Sequence, residues 1–78
     1  MEKSIEKKIK RQIDVECEYA DKNGSAKLST CSASNWDKDI YNYRNTIIEA
    51  IRNRGYNVSV SVNYGVIDIV TAPKINVK

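Results

Sequence analysis

The chain contains no histidine and no phenylalanine, and only two cysteines, three glycines and one proline among its 78 residues. Without histidine, Ser-His-Asp and Cys-His arrangements, imidazole general bases and histidine-bearing zinc sites are excluded. Two cysteines cannot close a tetrahedral zinc site unless carboxylates or a second chain contribute. The three glycines are too scattered for a Walker loop or a G-x-G-x-x-G turn, which leaves nucleotide-dependent chemistry without a motif. No apolar run approaches membrane-spanning length. The opening MEKSIEKKIK alternates charges with single isoleucines and lacks the apolar core of a secretory signal. These absences predict a cytoplasmic, non-enzymatic chain that needs neither cofactor nor metal.

What is present suits one small folded unit. Hydrophobic residues are 41% and charged residues 29%, too apolar for a disordered chain. A domain of this size buries only about 60% of its unfolded surface, so it has one shared core. Lys, Asn, Ile and Tyr are abundant, as in chains encoded by A/T-rich genes of bacteria and their phages.

From Gln12 onward, Ile13, Val15, Cys17 and Tyr19 occupy alternate positions with Asp14, Glu16 and Glu18 between them, the pattern of a half-buried strand. Asn23-Gly24 then supplies the positive φ angles of a tight turn, so SAKLST is expected to return antiparallel with Ala26, Leu28 and Thr30 inward. In that register Cys17 faces the core and Cys31 faces solvent, one core thiol and one ordinary surface thiol rather than a disulfide. The period then becomes helical. Trp36, Ile40, Tyr43, Ile47, Ala50 and Ile51 fall within roughly 100° on a helical wheel. Ser34 is placed to cap the first turn, with Asp37 three residues on, and Gly55 sits where the helix must stop. Alternation returns in YNVSVSVNYGVIDIVT, where a Tyr64-Gly65 turn pairs Val62 with Ile67 and Val60 with Ile69 and leaves Asp68 outside. Pro73 removes a ladder donor, so the last strand is expected to end near Thr71.

The expected fold is α+β: a four-stranded, mainly antiparallel sheet of two hairpins, ββαββ, with one long helix packed on one face. Ile5 and Ile9 fit a further short helix at the start, giving αββαββ. The domain reading is a basic N-terminal helix or arm over 1–11, one α+β domain over 12–72 and a tail over 73–78.

With catalytic groups absent, function is expected to lie in a surface. Tyr41 and Ile48 fall at about 120° to 140° from Trp36 on the wheel, outside the core stripe, among Arg44, Asn45 and Arg52. Interfaces are enriched in Tyr and Arg, so Tyr41, Arg44, Ile48 and Arg52 are the first candidate patch, serving a protein partner or a homodimer unless Ile5 and Ile9 cover it. Glu16 and Glu18 join it as an acidic outer face of the first hairpin. The leading expectation is a protein-binding module, of the kind phages and mobile elements use to occupy the surface of a larger host protein or nucleoprotein defence complex, on analogy alone. The alternative is nucleic-acid binding. Residues 1–11 carry five basic and two acidic groups, whereas 12–33 carry two basic and four acidic ones. Lys3, Lys7, Lys8, Lys10 and Arg11, with Arg54 and the other helix arginines, could line a phosphate-binding surface. Against it, the solvent face of the sheet offers no aromatic on which bases could stack.

Overall fold

A computed structural model describes residues 2–73 and gives helix α1 (Lys3–Asn23), strand β1 (Ala26–Cys31), helices α2 (Lys38–Asn42) and α3 (Arg44–Asn53), and strands β2 (Asn57–Asn63) and β3 (Val66–Ala72). The three strands form one antiparallel sheet in the order β1-β3-β2. The architecture is α+β as expected, but the sheet has three strands and not four: the segment read as the first strand is the second half of α1. The residues of the expected tail after Pro73 lie outside the described range.

Ile13 and Cys17 are four apart, a spacing that serves a strand face and a helix face equally. Ile5 and Ile9 extend the same four-residue step upstream, and Ala20, three residues after Cys17, keeps to the same helix face. Ile9, Ile13, Glu16, Cys17 and Ala20 are all buried along one side of α1. The two periods separate at the other positions. A strand would bury Val15 and Tyr19 and expose Glu16; in the helix Val15 is 47% and Tyr19 56% exposed, whereas Glu16 is 6% exposed. Asn23-Gly24 also has a second use. Gly24, at φ 87°, is the left-handed residue that ends α1, and its N–H donates to the Ala20 carbonyl at 2.8 Å.

β1 therefore pairs with β3 and not with a preceding strand, through Ala26↔Thr71, Leu28↔Ile69 and Thr30↔Ile67. β2 pairs with β3 through Val58↔Thr71, Val60↔Ile69 and Val62↔Ile67, the register expected from a two-residue turn. Tyr64 (φ 51°) and Gly65 (φ 78°) both adopt the positive φ that such a turn requires. All these paired residues share one sheet face, on which the helices pack and bury Ala26, Thr30, Ile69 and Thr71 but leave Val60 and Val62 exposed. The opposite face carries Ser29, Asp68 and Ser61 side by side, with the Ser29 hydroxyl donating to Asp68 Oδ1 at 2.5 Å. As expected, Asp68 points away from the core.

The long helix expected after residue 36 is divided into α2 and α3. Asp37, rather than Ser34, caps α2, accepting from the N–H groups of Asp39 and Ile40 at 2.9 and 3.2 Å. Tyr43, at φ −104° and ψ 20°, interrupts the regular dihedrals between α2 and α3. The bond from Ile47 N–H to the Tyr43 carbonyl opens α3, and the Arg44 guanidinium, donating to the Tyr41 carbonyl, spans the break. Gly55, at φ 91°, follows α3 as the expected stop. The core joins Ile9, Ile13 and Cys17 of α1 to Ile40, Ile47 and Ile51, with Leu28, Tyr56 and Val58 packed at its margin. Ile47, Ile51 and Ile69 are completely buried, each contributing about 1.5–3 kcal/mol relative to an exposed side chain. Two polar links fix the α3–β2 connection to α1: Arg54 to Asp14 at 2.6 Å, and the Tyr56 hydroxyl donating to Asp21 at 2.7 Å.

Candidate interaction surface

The helical state of residues 12–23 relocates the acidic candidates. Glu16 and Glu18 do not form the outer face of a hairpin, because both belong to α1. Glu18 is exposed and pairs with Lys22 one turn on, at 3.2 Å. Glu16 lies on the covered side of the helix. Its Oε2 accepts from Gln12 Nε2 at 3.2 Å, and its buried Oε1 has no hydrogen-bond partner among the described residues. Burial pushes its carboxyl above the ordinary range, opposed in part by the Gln12 bond.

Ile48 is 7% exposed, so it belongs to the core and not to an open patch. The side of α3 carrying Ile47, Ile48 and Ile51 turns inward, with α3 resting on α1 and β2. Tyr41 and Arg44 do meet: the guanidinium carbon lies 4.4 Å from the ring centroid, and Arg44 Nη1 donates to the Tyr41 carbonyl at 2.8 Å. Both are half-buried and satisfied by each other. Arg52 is exposed, 3.9 Å from Glu49. The patch expected from the wheel thus survives as a Tyr41–Arg44 pair and a separate Arg52, without its apolar centre.

The basic candidates divide as well. Lys8 reaches Asp37 at 3.2 Å and Asp39 at 3.0 Å, tying α1 to the start of α2. Arg54 is held by Asp14. Lys3, Lys7, Lys10 and Arg11 are exposed on α1 and fall within about 100° of one another on its outer face.

The structure brings forward a surface that alternation concealed. Between the second half of α1 and the start of β1 runs an open groove of about 500 Å³, lined by Glu16, Tyr19, Asn23, Ser25, Ala26 and Lys27. A smaller depression of about 180 Å³ lies along α1 between Val15, Glu18, Tyr19 and Lys22. Tyr19 borders both. A helical reading of residues 5–20 would have marked Val15 and Tyr19 as exposed neighbours, since they are four apart and off the Ile5-Ile9-Ile13-Cys17 stripe. A second exposed apolar set, Val60, Val62 and Tyr64, lies on the β2–β3 hairpin.

Both cysteines are free thiols; Cys17 is buried and Cys31 half-buried. Burial raises the Cys17 thiol pKa, with Arg54 acting against that. Among the described residues, no three His, Cys, Asp or Glu side chains gather as a metal site, and no helix is long and apolar enough to cross a membrane. No protein-family model matches the chain, and neither a curated protein nor a solved structure does.

Proposed function

We propose that this chain is a non-enzymatic protein-binding module that docks on a larger protein through the Val15/Tyr19 side of α1. One observation carries the reading: Tyr19, 56% exposed, stands between two depressions on the flank of a helix whose buried stripe is locked into the core. Tyrosine brings a large apolar area with little rotamer entropy to lose, and aromatic anchors beside pockets dominate binding energies. Val15 extends the apolar area, while Glu18, Lys22 and Lys27 give it a charged rim. A partner that fits presents an apolar side chain to the depression and polar groups to the rim. Inhibition of a host defence complex is one use of such a surface, and it rests on analogy.

Affinity pull-downs with a tagged chain test the surface. Val15→Asp with Tyr19→Asp is expected to abolish capture of whatever partner the unmodified chain retains, whereas Tyr41→Ala with Arg52→Glu is expected to preserve it. Loss with the second pair and retention with the first would contradict the reading.

A second reading, nucleic-acid binding, is favoured by the Lys3/Lys7/Lys10/Arg11 stripe. It lies in the N-terminal half of α1, where the helix dipole already disfavours positive charge and an approaching phosphate would relieve the cost. Gel shifts at two salt concentrations separate the readings: a complex formed at low salt should dissolve as salt rises, and no complex even at low salt eliminates this one.

A further inference from the structure

The strand β2 reads Asn-Val-Ser-Val-Ser-Val-Asn from Asn57 to Asn63, the same in both directions about Val60. It is also an edge strand, with β3 on one side and, among the described residues, no strand on the other. Protein edges are ordinarily protected by lysine, proline or a bulge. β2 has none of these: it carries no charge and no proline, and its pairing with β3 is unbroken from Asn57 to Asn63. The other edge is protected, since β1 carries Lys27.

The backbone of β2 is set for a partner strand in one register. The pair that closes a two-residue turn, Asn63↔Val66, exchanges its hydrogen bonds within the hairpin, and alternate pairs behind it do the same. Ser61 and Ser59 therefore spend their N–H and C=O groups on β3, and Val58, Val60 and Val62 direct theirs to the open edge. A second copy related by a two-fold axis through Val60 sets Val60 against Val60 and Val58 against Val62. Each of these pairs can exchange both of its bonds. The same register places valine on valine, serine on serine and asparagine on asparagine. Val60, 45% exposed in the single chain, would then lie against Val60 of the other copy, and Val62, 71% exposed, against its Val58, on the helix side of a continuous six-stranded sheet. Tyr64, 98% exposed at the turn, would come to the register position beside Tyr56 of the other copy.

We propose that β2 is a homodimerisation strand, joining two copies antiparallel about Val60. The arrangement is isologous and closed, so it does not propagate into a filament. It uses the opposite edge of the sheet from the Tyr19 groove and is tested independently of it.

Light scattering on the full chain between about 10 µM and about 500 µM should show a particle of twice the chain mass at the higher concentration. Val60→Pro removes an outward N–H that β3 does not use, and Val60→Lys sets two ammonium groups opposite each other at the dyad. Each should raise the dimer dissociation constant about 30-fold or more with the helical circular dichroism unchanged. The two variants act differently on the backbone, so a folding failure of one leaves the other to decide. For the register, Val60→Cys in a Cys31→Ser background should form a covalent dimer under mild oxidation, and Ser61→Cys, displaced by a diagonal of about 7–8 Å, should not. A monomer throughout the concentration range, a dimer that survives both Val60 variants, or equal cross-linking at 60 and 61 would each overturn the proposal.

Discussion

Replacing Glu16 by Gln should make the protein more stable at neutral pH, although the substitution removes a charge from a helix rich in charged residues. As a residue Glu16 is 6% exposed; one carboxylate oxygen is bonded to Gln12, and the other is buried without a partner among the described residues. An uncompensated buried polar group costs about 1–3 kcal/mol, more when charged, and a neutral amide in the same place relieves part of it. In a domain of this size about 1 kcal/mol corresponds to about 4–8 °C in melting temperature. The pH dependence supplies the control. Burial raises the folded-state pKa of Glu16 above its unfolded value. The folded state therefore holds the proton more tightly, and stability falls as pH rises from the ordinary glutamate range through the raised pKa. Below that window the native side chain is a neutral acid and should match the Gln variant closely; above it the two should diverge in favour of Gln. Thermal melts of both proteins followed by circular dichroism from pH 4 to pH 8 read the difference. A Gln variant that melts lower than the parent at pH 8, or a gap that does not change with pH, would refute the assignment of Glu16 as a buried, unpaired carboxylate.

The remaining expectations concern other parts of the fold. Thiol labelling of the native protein should modify Cys31 readily and Cys17 only on the timescale of unfolding, with the two rates converging in denaturant. Equal protection of both would place Cys31 elsewhere than on the uncovered sheet face. Asp37→Ala removes the cap of α2 and should lower stability by about 1 kcal/mol, read as a shift in the denaturant midpoint. Burial of Asp37, which would raise its pKa, is outweighed by the bonds from the Ile40 N–H, Lys8 and the Asp39 N–H, so its pKa is lowered. Its contribution is therefore present above the ordinary aspartate pKa and lost as pH falls through the lowered one, a loss the Ala variant should not show.

The parts of the fold legible in the sequence are those where one pattern has one structural use. Val58, Val60 and Val62 alternate on either side of a Tyr64-Gly65 turn whose φ angles few other pairs would adopt, and the register followed directly. Gly55 after a 3.6-period stripe likewise marked the end of α3. The first third of the chain failed where signals serve two structures. Ile13 and Cys17 satisfy both periods, and Asn-Gly both turns a hairpin and ends a helix. The deciding information was the continuation of the four-residue step from Ile5 and Ile9, which the alternation of Val15 and Tyr19 obscured. The same choice governed the site. Reading 12–19 as a strand placed Tyr19 inside and Glu16 outside, the reverse of the structure. Ile48 was misplaced because the helix has a wider buried arc than the stripe drawn from Trp36, with β2 as well as α1 packed against α3. The groove beside Tyr19 arises from the approach of α1 to β1, which no local pattern encodes.

The functional proposal rests on Tyr19 meeting a protein, and a photo-reactive phenylalanine analogue placed in turn at positions 19, 41 and 10 tests this most directly. Irradiation in the presence of the cellular extract from which a partner is captured should give a protein adduct through position 19 that competes away with excess unmodified chain, and none of comparable yield through position 41. A nuclease-sensitive adduct through position 10, with none through 19, would contradict the account and place the function on the basic stripe of α1.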